Sequence, residues 1–222
     1  MEISNIEQNY NRVFPQNYFF TYIVFSWHQR CHSLVHHIFV ESYDIIMAFS
    51  INKKPGIIKN ILTDDGQFPN SYLPVIICKA ALILPEEHAA KIIEDIFKKN
   101  NWTNPWRNGI YDYHHYHSIT HEVLGVYQGN TIVQLGGPTG ITQLIEKGDI
   151  IIIPAGVAHK NIGPETDFKC VGAYPNGKDY DIKKGDPDDR PEADKNIKKV
   201  PLPENDPVYG NDGPLISNWN IK

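Results

Sequence analysis

His115 and His117, one residue apart, and Glu122 a short way beyond them are residue types that together hold metal ions. On an extended chain residues i and i+2 share a face, so the spacing predicts that the two imidazoles project together from a strand while His114 and Tyr116 point away. Residues 118–121 then turn the chain, and Glu122 opens the returning strand with its carboxylate towards the same ion. A third histidine, His159, follows the turn Pro154-Ala155-Gly156, which ends the apolar run Ile150, Ile151, Ile152, Ile153. Three neutral nitrogens and one anionic oxygen suit one divalent ion of Fe, Mn, Ni or Zn. An octahedral ion held this way keeps open positions for substrate, dioxygen or an activated water, whereas a structural zinc is more often closed by four ligands that include cysteine. His114 and His121 either back the ligands or pack. His121 and Tyr113 are the conceivable proton-transfer groups, and Tyr111 and Tyr113 shape the mouth of the site. Trp102 and Trp106 either line that mouth or cover the core near a helix end.

The elements that must position these residues are mostly strands. Residues 71–84 are rich in β-branched side chains after the turn at Phe68, Pro69 and Asn70, which predicts a buried strand. An amphipathic helix follows. Pro85 suits its first position, Glu86 and Glu87 its first turn and Lys98 and Lys99 its last, while Ala89, Ile92, Ile93, Ile96 and Phe97 recur on one face. Residues 101–109 read as an aromatic loop. Segments 131–135, 141–146, 149–153 and 166–174 read as short strands between glycine turns, the pattern of an all-β sandwich or barrel. Ile150 to Ile153 show no alternation, so both faces of that strand are covered, at roughly 1.5–3 kcal/mol per buried side chain.

Composition sets outer limits. The chain has 222 residues and a net charge of −5 with no basic run, which argues against nucleic acid and for a small-molecule ligand. No apolar run approaches the roughly 18 to 20 residues of a membrane span, so no membrane partner and a cytoplasmic location are expected. Cys31, Cys78 and Cys170 are odd in number and far apart, as in a reduced compartment, and Cys78 and Cys170 lie in apolar runs as core residues. Residues 1–46, dense in Tyr, Phe and His, read as an N-terminal extension or as sequence upstream of a true start at Met47. His28, Cys31, His32, His36 and His37 within them match no zinc spacing. Residues 47–175 form the main domain with its leading strand and helix. Residues 176–222, rich in Pro and Gly, form an irregular arm that excludes a central strand and wraps the domain or a neighbouring subunit by Leu215, Ile216 and Trp219.

Gly109, His115, His117, Glu122 and Gly129 resemble the first motif of the cupin superfamily, G-x5-H-x-H-x4-E-x6-G. Gly148, Pro154, Gly156 and His159 resemble the second, G-x5-P-x-G-x2-H-x3-N, except that Gly163 stands where the motif has Asn and Asn161 lies two positions earlier. From about Gln67 onwards, segments such as Gly172-Ala173-Tyr174-Pro175 and Val200-Pro201-Leu202-Pro203 are similar to the YjlB-like branch of that superfamily. The resemblance implies a cupin jelly-roll β-barrel, a metal bound in its mouth by His115, His117, Glu122 and His159, and assembly as a homodimer. It leaves three functional classes open. These are a metal-dependent oxidoreductase or dioxygenase acting on a small polar molecule, a metal-dependent sugar or keto-acid isomerase or lyase, and a non-enzymatic small-molecule-binding protein.

Overall fold

The structure, a computed structural model, describes residues 18–20, 49–164 and 167–219. In chain order its elements are β1 (Tyr18–Phe20), β2 (Ser50–Asn52), β3 (Gly56–Leu62), β4 (Ser71–Lys79), β5 (Leu82–Ile83), α1 (Ala89–Lys99), β6 (Trp102–Asn108), β7 (Glu122–Gln128), β8 (Asn130–Leu135), β9 (Ile141–Glu146), β10 (Ile150–Ile153), β11 (His159–Asn161), β12 (Lys169–Pro175), α2 (Glu192–Ile197) and α3 (Pro214–Asn218). A large antiparallel sheet runs β3-β4-β10-β7-β12-β6, a smaller one runs β11-β8-β9, and β1-β2-β5 form a third. The first two face each other as an all-β jelly roll. The expected N-terminal extension lies outside the described residues apart from residues 18–20, and so does the cluster of His28, Cys31, His32, His36 and His37.

The isoleucine run explains the layering. β10 sits inside the large sheet, paired to β4 and β7, and successive side chains on a strand point to opposite faces. Ile151 and Ile153 join Leu124, Val126, Val133, Leu135 and Ile145 in the interior between the two sheets, where Cys170 is also buried. Ile150 and Ile152 face the other way, into a second core beneath α1 and the C-terminal arm that takes in Cys78, Leu215 and Trp219. Both faces are covered, which removes the polar alternation a half-exposed strand shows.

α1 lays Ala89, Ala90, Ile92, Ile93, Ile96 and Phe97 on that outer face. It comes close because β7 carries Gly125 there: a Cβ would lie 2.8 Å from Cγ2 of Ile93. The helix starts later than its charges suggest. His88 before it has φ of 61°, a left-handed conformation that breaks the helical path, so Pro85, Glu86 and Glu87 stand outside it and Glu86 pairs with Lys147 at 2.9 Å. Lys98 and Lys99 do occupy its last turn.

Residues 102–108 are a strand, β6, and not part of the aromatic loop expected over residues 101–109. β6 lies at the edge of the large sheet, paired on one side only to β12, where a proline's missing N–H costs no ladder bond. The arm contains a 3-10 turn at Pro187–Asp189 and the two short α-helices α2 and α3, and is tied down along its length. Trp219 donates from Nε1 to the carbonyl of Pro74 at 2.9 Å, Tyr209 from its hydroxyl to the carbonyl of Asn52 at 2.9 Å, and Trp102 from Nε1 to the carbonyl of Asn205 at 2.9 Å.

Candidate metal centre

Three elements deliver the site to one end of the space between the sheets. Glu122 is the first residue of β7, His159 the first of β11, and His115 and His117 lie on the connection from β6 to β7. That connection is extended but is not the continuous strand expected. Two isolated bridges hold it, His115 to His159 on one side and Tyr116 to the arm residue Lys183 on the other. His115 and His159 exchange backbone hydrogen bonds at 3.2 and 2.9 Å, which sets their rings 4.1 Å apart. Gly156 shapes the turn before His159. Its φ is +91°, a Cβ there would lie 2.4 Å from the carbonyl oxygen of Asn70, and its N–H donates to the carbonyl of His117 at 2.8 Å. Buried Asn70 steadies the same turn by accepting from the N–H of Ala158 at 3.2 Å.

The hydrogen bonds orient all three imidazoles alike. Nδ1 of His115 faces the carbonyl of Tyr113 at 3.3 Å, Nδ1 of His159 that of Val157 at 3.1 Å, and Nδ1 of His117 that of Asp181 at 2.5 Å. A carbonyl only accepts, so each Nδ1 carries the proton, and in the neutral ring each Nε2 is left with a lone pair. The ligand nitrogens of the three buried rings lie within 4.8 Å of one another. Glu122, also buried, places Oε2 3.3 Å from Nε2 of both His117 and His159. That is longer than the roughly 2.7–2.9 Å of a charge-assisted hydrogen bond, and Oε2 has no hydrogen-bond partner. Two donors each about 2.1 Å from one ion stand about 3.0 Å apart at a right angle and about 3.4 Å apart at a tetrahedral angle. The arrangement therefore fits a metal ion.

Charge on these groups follows from burial and from each other. Burial, with His159 and His117 adding to it, pushes His115 down to about 2. Burial also works against the charged form of His117, but the Glu122 carboxylate beside it carries the group above the usual histidine range. Burial would raise Glu122, and His117 and His159 hold it well below the usual carboxylate range. Burial thus favours the neutral form of His115 and the neighbouring histidines keep Glu122 ionised, while His117 has to release its second proton before it can bind an ion.

The site opens into a cavity of about 160 Å³ walled by Trp106, Ile110, Tyr111, Leu124, Tyr174, Tyr180 and Ile182. Tyr111 stacks on Tyr113 at 4.8 Å, and Tyr113 meets His115 edge to face at 5.8 Å. The two tryptophans divide between the two roles considered for them: Trp102 is core and Trp106 is cavity wall. His121 points elsewhere. Its Nδ1 accepts from the N–H of Ala155 at 2.9 Å and its ring lies 4.8 Å from that of Trp219. His114 packs 5.4 Å from Phe68.

Sequence reasoning missed Tyr174, Tyr180, Asp181 and Ile182. Tyr174 donates to Oε1 of Glu122 at 3.0 Å, and burial and that carboxylate together push its own ionisation up, which keeps it a donor. Asp181 accepts from the N–H of Ser118 at 2.7 Å and from its hydroxyl at 2.6 Å, and so fixes the residue after His117. Only Tyr174, in the run from Gly172 to Pro175, carried a family likeness. The arm residues lie some 60 positions away with no local pattern. Asn161, displaced by two positions from its place in the motif, bonds Thr131 at 2.5 Å and the N–H of Gly163 at 3.0 Å, while a Cβ on Gly163 would lie 2.4 Å from Oγ1 of Thr131.

No family model matches the chain. A protein of Bacillus subtilis (strain 168) described as the uncharacterized protein YjlB is 41% identical over 157 residues, which is 70% of this chain and 92% of that one. Among solved structures, the 11S allergen of Cocos nucifera is 16% identical, matched over 36% of this chain and 24% of its own, with a TM-score of 0.31. A DUF861 family protein of Thermotoga maritima is 21% identical over 40% of this chain and 92% of its own, with a TM-score of 0.26. The chain thus spans about a quarter of the length of the Cocos nucifera allergen. TM-scores this low carry no argument, and the fold rests on the strand order and register given above.

Proposed function

The chain belongs to the family of Bacillus subtilis YjlB, a name that carries no reaction, and from its site we propose that it is a metal-binding cupin that works as an oxidoreductase, of dioxygenase type, on a small polar molecule. His115, His117 and His159 through Nε2, with Glu122 through Oε2, are its ligands. The observation that carries this is the convergence of three buried ring nitrogens within 4.8 Å of one another, two of them 3.3 Å from a buried carboxylate oxygen that has no hydrogen-bond partner. A buried oxygen left so costs about 1–3 kcal/mol, and a divalent cation removes that cost.

When bound, such an ion supplies a Lewis-acidic and redox-capable centre with positions open to the cavity. The protein's own part is orientation and exclusion of water. Trp106, Tyr111, Tyr180 and Ile182 present flat or apolar walls that fit a compact ligand, and Tyr174 keeps its proton at the hydroxyl oxygen bound to Glu122. An isomerase or lyase needs a base beside the substrate carbon. Among the described cavity residues, the titratable groups other than the four ligands are tyrosines and Arg107, and Arg107 is held by Glu94 at 2.6 and 2.8 Å. That favours oxidative chemistry over a proton shuttle.

Protein purified without a chelating tag and assayed for metals should contain one divalent ion per chain. After anaerobic loading with Fe(II), oxygen uptake with a panel of small hydroxy and oxo acids should exceed the substrate-free rate. A zinc-filled, redox-silent protein overturns the oxidative reading, and product formation without oxygen turns it to the isomerase class.

A further inference from the structure

Glu122 has two carboxylate oxygens in unlike surroundings. Oε2 faces the histidines, while Oε1 accepts from the hydroxyl of Tyr174 at 3.0 Å. That hydroxyl in turn accepts from Nε1 of Trp106 at 2.8 Å. We infer that Trp106 and Tyr174 are positioning residues whose hydrogen-bond chain reserves one oxygen of Glu122 and so presents the carboxylate to the metal through Oε2 alone. The inference rests on the metal-centre reading above.

The backbone is built to make this chain. Gly172 pairs with Trp106 across β12 and β6, and the register slips between Gly172 and Tyr174. Such an irregularity re-aims the side chain that follows it, here turning Tyr174 towards Glu122. Gly172 lies directly under the indole, where a Cβ would come within 2.2 Å of Cε2 and 2.4 Å of Nε1 of Trp106. Only glycine lets the ring lie flat enough for its N–H to reach the tyrosine. On its other side Tyr174 stacks against Tyr180 at 4.7 Å with 21° between the ring planes. The phenol is therefore fixed by packing on one face and by a donor at its oxygen, leaving its own proton for Glu122. Groups that hold a ligand from behind set its orientation and basicity.

Metal-free protein titrated with Co(II) against a competing chelator, with the visible spectrum recorded, tests this without any assay of turnover. Tyr174→Phe keeps the ring and the stack but removes the hydroxyl. It should weaken Co(II) binding about 10–100-fold and alter the visible band, which a merely structural role would leave alone. A lower melting temperature of the metal-free protein is expected in either case, because Oε1 of Glu122 and Nε1 of Trp106 lose their partner. Trp106→Phe should give a smaller loss of the same kind, and it decides the matter if Tyr174→Phe does not fold. Affinity and spectrum equal to wild type in the folded variant overturn the positioning role alone. Wild-type protein that takes up no Co(II) overturns the metal-centre reading instead.

Discussion

Two buried carboxylates, Glu122 between the sheets and Asp206 in the arm, are nearly equally hidden from water and are treated in opposite ways. Asp206 accepts from the backbone N–H groups of Val208 and Tyr209 with one oxygen and of Leu215 with the other, all at 2.9 Å. It is closed by the chain that surrounds it, and Gly213 presses against it so tightly that a Cβ would lie 2.2 Å from its Cγ. Glu122 is closed on one oxygen only. Asp206 thus has both oxygens satisfied by backbone donors, whereas Oε2 of Glu122, like Nδ1 of His114, the hydroxyl of Tyr116 and Nε2 of His121, is buried without a hydrogen-bond partner.

The largest effect should come from opening the closed one. Asp206→Ala leaves three buried N–H groups without acceptors, at about 1–3 kcal/mol each, and detaches the first turn of α3. A loss of at least about 3 kcal/mol in urea unfolding is expected, with the metal content of the folded protein unchanged. A wild-type unfolding midpoint breaks the comparison from the arm side. The next largest is His117→Ala, which should cost at least about 100-fold in metal affinity, beyond the roughly 10–100-fold typical of groups behind a ligand. It should leave metal-free stability much less affected, and His114→Ala should retain the metal. Chelator competition on both variants reads this, and comparable losses in the two sink the separation of ligand from packing residue.

Much of the candidate site was legible in the sequence because the residues brought together there come in local patterns. His115 and His117 share a face by strand geometry, Glu122 follows a turn, and His159 follows a proline and a glycine that can only bend the chain. What holds those ligands was not legible. Tyr174 reaches Glu122 through a register slip in β12, and Asp181 reaches His117 from the arm, so neither contact leaves a spacing to read. The fold was legible where apolar runs were long, as in β10 and α1. It was misread where single residues decide: His88 in a left-handed conformation delays α1, and an edge position lets Pro105 stand in a strand.

Gly156 joins the two regimes, since a closed turn there aims an open ligand. With φ at +91° and the carbonyl of Asn70 and Cδ1 of Ile197 at 2.4 and 2.8 Å from any Cβ, Gly156→Ala should cost about 2 kcal/mol and also loosen metal binding through His159. Loss in both readouts distinguishes it from Asp206→Ala, which moves stability, and from His117→Ala, which moves affinity. Unfolding with and without Zn(II) measures both, and an effect on stability alone shows that the turn does not aim the histidine.

Closure matters in proportion to burial, and a third carboxylate tests that. Asp64 meets Arg190 through two parallel hydrogen bonds of 2.8 and 2.6 Å, as well closed as Asp206, yet its side chain is 44% exposed. The hydrogen bonds from Arg190 hold its carboxyl below the usual 3.8, against a smaller opposing push from burial. Because the folded value is the lower one, the unfolded chain binds the proton more readily. The pair's contribution is present above about pH 4 and disappears as the pH falls through the folded value. Solvent screening limits it to about 1 kcal/mol or less. Asp64→Asn should therefore lower stability slightly at pH 7, less in high salt, and match wild type in acid. A loss at pH 7 as large as that of Asp206→Ala would mean that hydrogen-bond closure alone, and not closure in the absence of water, separates the arm from the metal centre.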